Sequence, residues 1–321
     1  MIDGRYLITG GSGFIGTHLV ERLANLGYSV LSLDLNPPKL LDHNDSYEVC
    51  DVLQMEHLCK IFDQFKPTHV LHLAAKANLK GTTVADFPEN TLGTENVVKC
   101  VNKTPSVERF IHFSTQYVVE PGIWPETEEF LKPYTAYGAS KAEGEKTVRN
   151  KCSKCWTILR PTNVWGPFHP FFPFEMWKFL KLRLYSHPGY RPIIKYYSYI
   201  ENAVDQILTI SLNDDNLVCG RVFYITDPPI DNFRWMNAFS VALSGRPVRR
   251  IPIPIWRLLA NFGDALIRVG LKFPMSSERL FRLTVNEQVP FQPTVDIARS
   301  PRVTLEEGVE RSVSWYLRTA G

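Results

Sequence analysis

No uninterrupted apolar run in the 321 residues approaches the roughly 20 needed to cross a bilayer, so no integral membrane segment is expected. Internal repeats and low-complexity tracts are also missing, which leaves an ordinary globular chain. A charge excess of either sign is absent: 36 Lys and Arg face 33 Asp and Glu, and a net +3 gives no reason to expect a nucleic-acid partner. Met1-Ile2-Asp3-Gly4-Arg5 passes straight into an apolar strand and does not read as a signal peptide, which points to the cytoplasm. Cysteine is sparse, with six at positions 50, 59, 100, 152, 155 and 219. Cys152 and Cys155 form a CxxC, but no second pair or histidine pair accompanies them, so no metal site is expected. The scattered cysteines read as free thiols in a reducing compartment.

The chain is long enough for two compact units, and its 44% hydrophobic and 21% charged content suits a large core. Tyr6-Leu7-Ile8 reads as a strand, followed by Thr9-Gly10-Gly11-Ser12-Gly13-Phe14-Ile15-Gly16 and then Leu19, Val20, Leu23 and Leu26 at helical spacing. Gly10, Gly13 and Gly16 thus fall on a strand-to-helix turn, where small residues let backbone N–H groups approach a pyrophosphate. A second strand from Ser29 ends at Asp34, about 20 residues past the glycines, where an acid accepts hydrogen bonds from the adenosine ribose. No arginine follows directly to hold a 2′-phosphate, which favours NAD.

Further strands are expected at Tyr47 to Cys50, ending in Asp51-Val52, at His69 to Leu73, ending in Ala74-Ala75, and at Arg109 to Phe113, ending in Ser114-Thr115. Helices alternate with them, which implies a Rossmann-type doubly wound parallel α/β sheet with ligands beyond the strands' carboxyl ends. Tyr137 and Lys141 then share one face of a helix. A free tyrosine titrates near 10, and bringing it to about 7 needs roughly 4 kcal/mol of preferential stabilisation of the phenolate. A cation held beside it acts in that direction.

Taken together, these residues resemble the extended short-chain dehydrogenase/reductases, the NAD-dependent nucleotide-sugar epimerase/dehydratase group. The resemblance rests on the glycine turn, Asp34, Asp51-Val52, Leu73-Ala74-Ala75, Asn90-x-x-Gly93-Thr94, Ser114-Thr115, Tyr137-x-x-x-Lys141, Arg160-Pro161-x-Asn163-Val164-Trp165-Gly166-Pro167, and a closing helix opening at Val303-Thr304-Leu305. It implies that Tyr137 is the acid/base and that Lys141 holds the nicotinamide ribose and depresses the tyrosine's pKa. Thr115 would be the catalytic hydroxyl, with Ser114 as the alternative. Asn90 and Pro161 would border the nicotinamide, and Gly10, Gly13, Phe14, Ile15, Gly16, Asp51, Val52, Leu73, Ala74 and Ala75 the rest of the cofactor. Asn163, Lys195 and an arginine such as Arg250 would meet the substrate. Dehydratases of this group carry an acid pair after the threonine; Gln116 and Tyr117 stand there, and an amide cannot shuttle protons, so dehydration is disfavoured. Lys195 replaces an arginine that grips nucleotide phosphates, losing the bidentate fork. The implied activity is nucleotide-sugar 4-epimerisation in a homodimer. A reductase of the hydroxysteroid-dehydrogenase-like branch is the alternative, of which the proline-rich 251–255 stretch is reminiscent.

Residues 1–165 are expected to bind the cofactor, with 196–228 rejoining them, and 166–195 and 229–321 to cover the substrate. Arg246, Arg249 and Arg250 form a short basic cluster. Residues 252–273 carry an amphipathic helical pattern that is expected to pack on the second unit rather than to lie on a membrane.

Overall fold

The computed structural model describes residues 4–298 and 301–319. The first half alternates as expected: β1 (Arg5–Thr9), α1 (Phe14–Asn25), β2 (Ser29–Asp34), β3 (Tyr47–Val49), α2 (Met55–Phe65), β4 (His69–His72), α3 (Thr94–Lys103), β5 (Arg109–Phe113), α4 (Ala136–Lys151) and β6 (Cys155–Pro161). A short β7 (Asn163–Trp165) leaves the sheet, followed by α5 (Lys178–Lys181), β8 (Ser186–Pro188), β9 (Ile194–Lys195) and β10 (Tyr197–Tyr199). The chain continues through α6 (Ile200–Ser211), α7 (Asp215–Val218) and β11 (Arg221–Ile225), then β12 (Ile230–Asp231), α8 (Asn232–Ser244) and β13 (Arg249–Ile251). It closes with α9 (Ile253–Arg268), α10 (Ser277–Thr284), α11 (Gln292–Ala298) and α12 (Leu305–Thr319).

Seven strands form one parallel sheet in the order β11-β6-β5-β4-β1-β2-β3. The central strands are apolar on both sides because helices cover both faces: all five residues of β5 are buried. One core joins Leu19, Leu23, Ile111 and Leu159 to Trp165, Trp177, Trp235 and Phe239, and a second joins Leu7, Leu58, Phe62, Val97, Phe110 and Ile158. The first core runs continuously from the sheet into the second half of the chain. Residues 221–225 return to the edge of the main sheet beside β6, while β7 pairs with β10 outside it.

One expectation fails here. Four of the six cysteines are bonded: Cys59 to Cys100, joining α2 to α3, and Cys155 to Cys219, joining β6 to the segment before β11; only Cys50 and Cys152 are free. The CxxC is therefore not a unit. Sequence spacing misses these pairs because strand pairing and helix packing, not proximity along the chain, bring their Cα atoms to 5.4 and 5.0 Å. Helix α9 packs against α10 and the segment before it through a narrow strip in which only Ala260 and Gly263 are buried. A Cβ on Gly263 would lie 1.8 Å from the Met275 carbonyl oxygen, so a glycine is needed for that close approach. The helix's apolar stripe stays outside, with Leu258 73% and Phe262 56% exposed.

Candidate active site

The glycine turn is built for close backbone approach. Gly10 has φ +75°, and a Cβ there would sit 2.6 Å from the Ala74 backbone nitrogen. On Gly16 it would sit 2.3 Å from the Gly10 carbonyl oxygen. The turn is thereby compressed against the end of β4, and α1 begins at Phe14 with its N–H groups directed toward the crevice. Asp34 ends β2 with Oδ2 accepting from the Ser12 N–H at 3.1 Å and Oδ1 from the Asn36 N–H at 3.0 Å. Lys39, which the sequence reading missed, donates to the Ser12 carbonyl at 2.9 Å, next to Asp34. Asp51 caps the turn after β3 through Leu53 N–H at 2.9 Å, and Val52 is buried where a Cβ on Gly93 would touch it. Leu73, Ala74 and Ala75 follow β4, and Ala74 N–H donates to Thr9 Oγ1 at 3.2 Å. The expected cofactor residues thus line one edge of the sheet, and the cradle that added Cβ atoms would fill fits a dinucleotide.

Helix α4 carries Tyr137 and Lys141. Thr135 caps it, accepting from Gly138 N–H at 2.9 Å. A Cβ on Gly138 would lie 2.2 Å from the Tyr117 carbonyl oxygen, and one on Gly144 2.9 Å from that of Asn90. The glycine face lets α4 press onto the loops after β5 and before α3. Tyr137 therefore sits beside Thr115 and packs edge-on against Tyr117, ring centroids 6.1 Å apart.

Beneath α4 lies a buried polar layer. Glu145 accepts Ser114 Oγ–H at 2.5 Å and a forked pair from Arg160, Nε at 2.9 Å and Nη2 at 2.8 Å; Arg160 Nη1 reaches Tyr224 OH at 2.9 Å. Of the two hydroxyls, Ser114 is bonded to Glu145 in the layer under the helix, and Thr115 is the one beside Tyr137. Nothing in the sequence alone distinguished Glu145 from a solvated helix residue. His72 is also buried, with Nδ1 2.7 Å from Thr9 Oγ1 and Nε2 3.1 Å from Thr94 Oγ1. Because Thr94 Oγ1 donates to the Asn90 carbonyl, it accepts from His72, which places the neutral ring's proton on Nε2.

Burial pushes the Tyr137 phenol up to about 12, with the Thr115 hydroxyl pulling the other way, and burial lowers Lys141 to about 8 against the attraction of Glu145. Without the cofactor's positive ring, desolvation outweighs the tyrosine's local polar partners. Asn90 does not point free toward a ligand: its Nδ2 donates to Ser140 Oγ at 2.9 Å and the Lys76 carbonyl at 3.1 Å, and its Oδ1 accepts Lys76 N–H at 2.9 Å. It clamps the loop after β4 to α4.

Beside Gln116 and Tyr117 opens a cavity of about 870 Å³. Asn163 and Lys195 line it as expected, but both are engaged. Lys195 Nζ lies 3.2 Å from Glu287 Oε1, whose other oxygen accepts from Tyr196 N–H at 3.2 Å and Asn163 Nδ2 at 3.4 Å. Glu287 escaped the sequence reading because its partners are over 90 residues away. Arg250 is not a lining residue; its guanidinium stacks 3.5 Å from the Phe233 ring centroid. Arg279 and Arg282 are the arginines on the cavity wall. The rest of the wall is largely apolar, including Tyr134, Met176, Trp256, Phe273 and Val289.

A parallel sheet with a glycine turn, an acid ending the second strand and a Tyr–Lys helix beside a threonine is the arrangement of a dinucleotide-dependent oxidoreductase of the short-chain type. The chain belongs to the NAD dependent epimerase/dehydratase family, whose pattern matches residues 6–186, and NAD is that family's cofactor. It is similar to a 3-beta-hydroxysteroid dehydrogenase of Mycolicibacterium neoaurum, 26% identical over 98% of this chain and 91% of the relative. It is also similar to UDP-glucuronate 4-epimerase 5 of Arabidopsis thaliana, 25% identical over 97% and 75%. In fold it resembles the Thermotoga maritima UDP-glucose 4-epimerase solved with UDP-glucose, with a TM-score of 0.74 and 21% identity over 99% of this chain and all of that one.

Proposed function

We propose that the protein is a NAD-dependent 4-epimerase of a glycosyl substrate, acting through reversible oxidation of a ring hydroxyl. The observation that supports this reading most is the pairing of Thr115 with Tyr137, whose ring packs on Tyr117 of the cavity wall. A substrate hydroxyl hydrogen-bonded by both oxygens gives up its proton to Tyr137 as its carbon is oxidised, and takes it back on reduction. Bound NAD supplies the hydride acceptor and a positive ring that favours the phenolate. Lys141 adds the second cation, and Asn90 and the Glu145–Arg160 layer hold α4 in place. Gln116 offers no acid for expelling water, so turnover ends at the alcohol.

A nucleotide-linked sugar is supported by the epimerases among the relatives. A second reading, dehydrogenation of an apolar alcohol, is favoured by the cavity's apolar wall and the hydroxysteroid dehydrogenases among them. The test is turnover of UDP-, GDP- and dTDP-sugars with the reduced-cofactor absorbance band followed in parallel. Epimerisation without build-up of reduced cofactor supports the first reading, and net reduction of added NAD the second. Tyr137→Phe should retain NAD and lose nearly all turnover. Full activity in that variant would refute the tyrosine's role in both.

A further inference from the structure

Three observations converge on the rim of the cavity. First, the cavity wall and the outer surface share apolar side chains: Phe171 (52%), Phe179 (52%), Leu184 (65%) and Leu259 (40%) line the cavity and are also exposed. Second, that rim continues onto α9, whose Ile255, Leu258, Phe262 and Val269 are 49%, 73%, 56% and 72% exposed. Their spacing of three, four and seven residues puts them on one stripe. The helix is held from its other side, through Gly263 against Met275. Third, the two rim segments, 175–184 and 253–282, carry eight cationic side chains against three carboxylates, in a chain whose overall charge is close to balanced.

We propose that this rim is a docking surface for an anionic lipid bilayer, and that the cavity receives the apolar tail of an amphiphilic substrate whose hydroxyl-bearing head reaches Tyr137. This rests on the reading that Tyr137 works on a substrate hydroxyl, and it names what lies behind that hydroxyl. An apolar stripe of this width on a helix with cations nearby enters the headgroup boundary and draws anionic lipid. A second copy of the chain is the poorer occupant, because a two-fold contact sets the same patch against itself and brings eight cations to face eight. The cavity, near the upper end of the roughly 300–1,000 Å³ usual for ligand sites, exceeds what one sugar ring fills. Its lysine is neutralised by Glu287, which disfavours a bare nucleotide diphosphate there.

The experiment has two arms, neither of which needs turnover. In the first, the full chain is floated with vesicles of phosphatidylcholine alone or mixed with phosphatidylglycerol. The wild type should float with the mixed vesicles, less so at high salt, and Leu258→Glu/Phe262→Glu should stay at the bottom. Both residues lie outside the cavity wall, so tyrosine-dependent activity on a soluble substrate should be unchanged in the double variant. Failure of the wild type to float, equal floating of the variant, or a dimer in solution that the variant splits would each overturn the docking surface. In the second, alkyl glucosides of four to twelve carbons are titrated calorimetrically below their micelle concentrations. Affinity should rise about fourfold per methylene while the chain is being buried. No dependence on chain length would overturn the cavity assignment. Failure of the functional reading shows separately, as an undiminished Tyr137→Phe.

Discussion

At the scale of single residues the site is a contest between burial and charge. Lys141 is 1% exposed and its ammonium is disfavoured there, which is why its pKa falls to about 8. Glu145 does not depend on it, because Arg160 already supplies a forked partner. Lys141→Met should therefore leave stability unchanged or raise it, since an apolar residue of similar volume removes a buried charge without orphaning another. Turnover should fall by ~10² or more, the usual scale for a lost proton-transfer aid. A urea melt beside a rate measurement checks both, and a variant that merely unfolded would contradict the argument. His72 behaves differently. Its folded pKa of about 3 lies below the ordinary 6.5, so on acidification the unfolded chain takes up the proton first. Stability from this group is complete above pH 6.5 and is lost as the pH falls toward 3. Between pH 7 and 5 the loss is about 2 kcal/mol from His72 alone. His112, also buried beside Lys141, adds in the same direction. His72→Gln should show a shallower fall in urea midpoint over that interval.

At the scale of elements, α4 is the part of the molecule where packing and chemistry coincide. Gly138 and Gly144 let backbone meet backbone on two sides of the helix, at Tyr117 and at Asn90. Gly138→Ala should displace the helix start by several tenths of an ångström or more, because the obstructing atom is a carbonyl oxygen that cannot swing aside. The chain should still fold and bind NAD, whose crest lies on other elements, yet kcat should fall tenfold or more, since catalysis depends on the Tyr137–Thr115 alignment. Retained kcat would show that α4 has slack the geometry does not reveal. The strands, the glycine turn and the Tyr–Lys helix were legible in the sequence because each is a local pattern: an apolar run, a turn composition or a four-residue spacing. The layer beneath α4 was not. Ser114, Glu145, Arg160 and Tyr224 are spread over 110 positions and are brought together only by the β5-β6-β11 order of the sheet. The same reason hid both disulfides and the bonds by which Asn90 ties the loop after β4 to α4.

At the scale of the whole molecule, the two halves meet at Glu287. This carboxylate comes from the segment after α10 and reaches Lys195 in β9, Tyr196 and, through Asn163, the end of the cofactor half. This acid is paired with the lysine that stands where the resemblance implies a phosphate-gripping arginine, more than 90 positions away in the chain. Glu287→Gln keeps an oxygen for the Tyr196 N–H and removes only the charge. The lysine, 7% exposed on the cavity wall, then lacks its counter-ion and presents a positive field to the cavity. UDP affinity, measured by calorimetry, should tighten about tenfold, corresponding to ~1.4 kcal/mol. The gain should shrink as salt is raised, because part of it is a field through water. If UDP binds the wild type and the variant equally, the ion pair is scaffolding and the arginines at 279 and 282 govern phosphate recognition instead. If the variant gains, Glu287 in the wild type holds the lysine's charge back from nucleotides by standing opposite it.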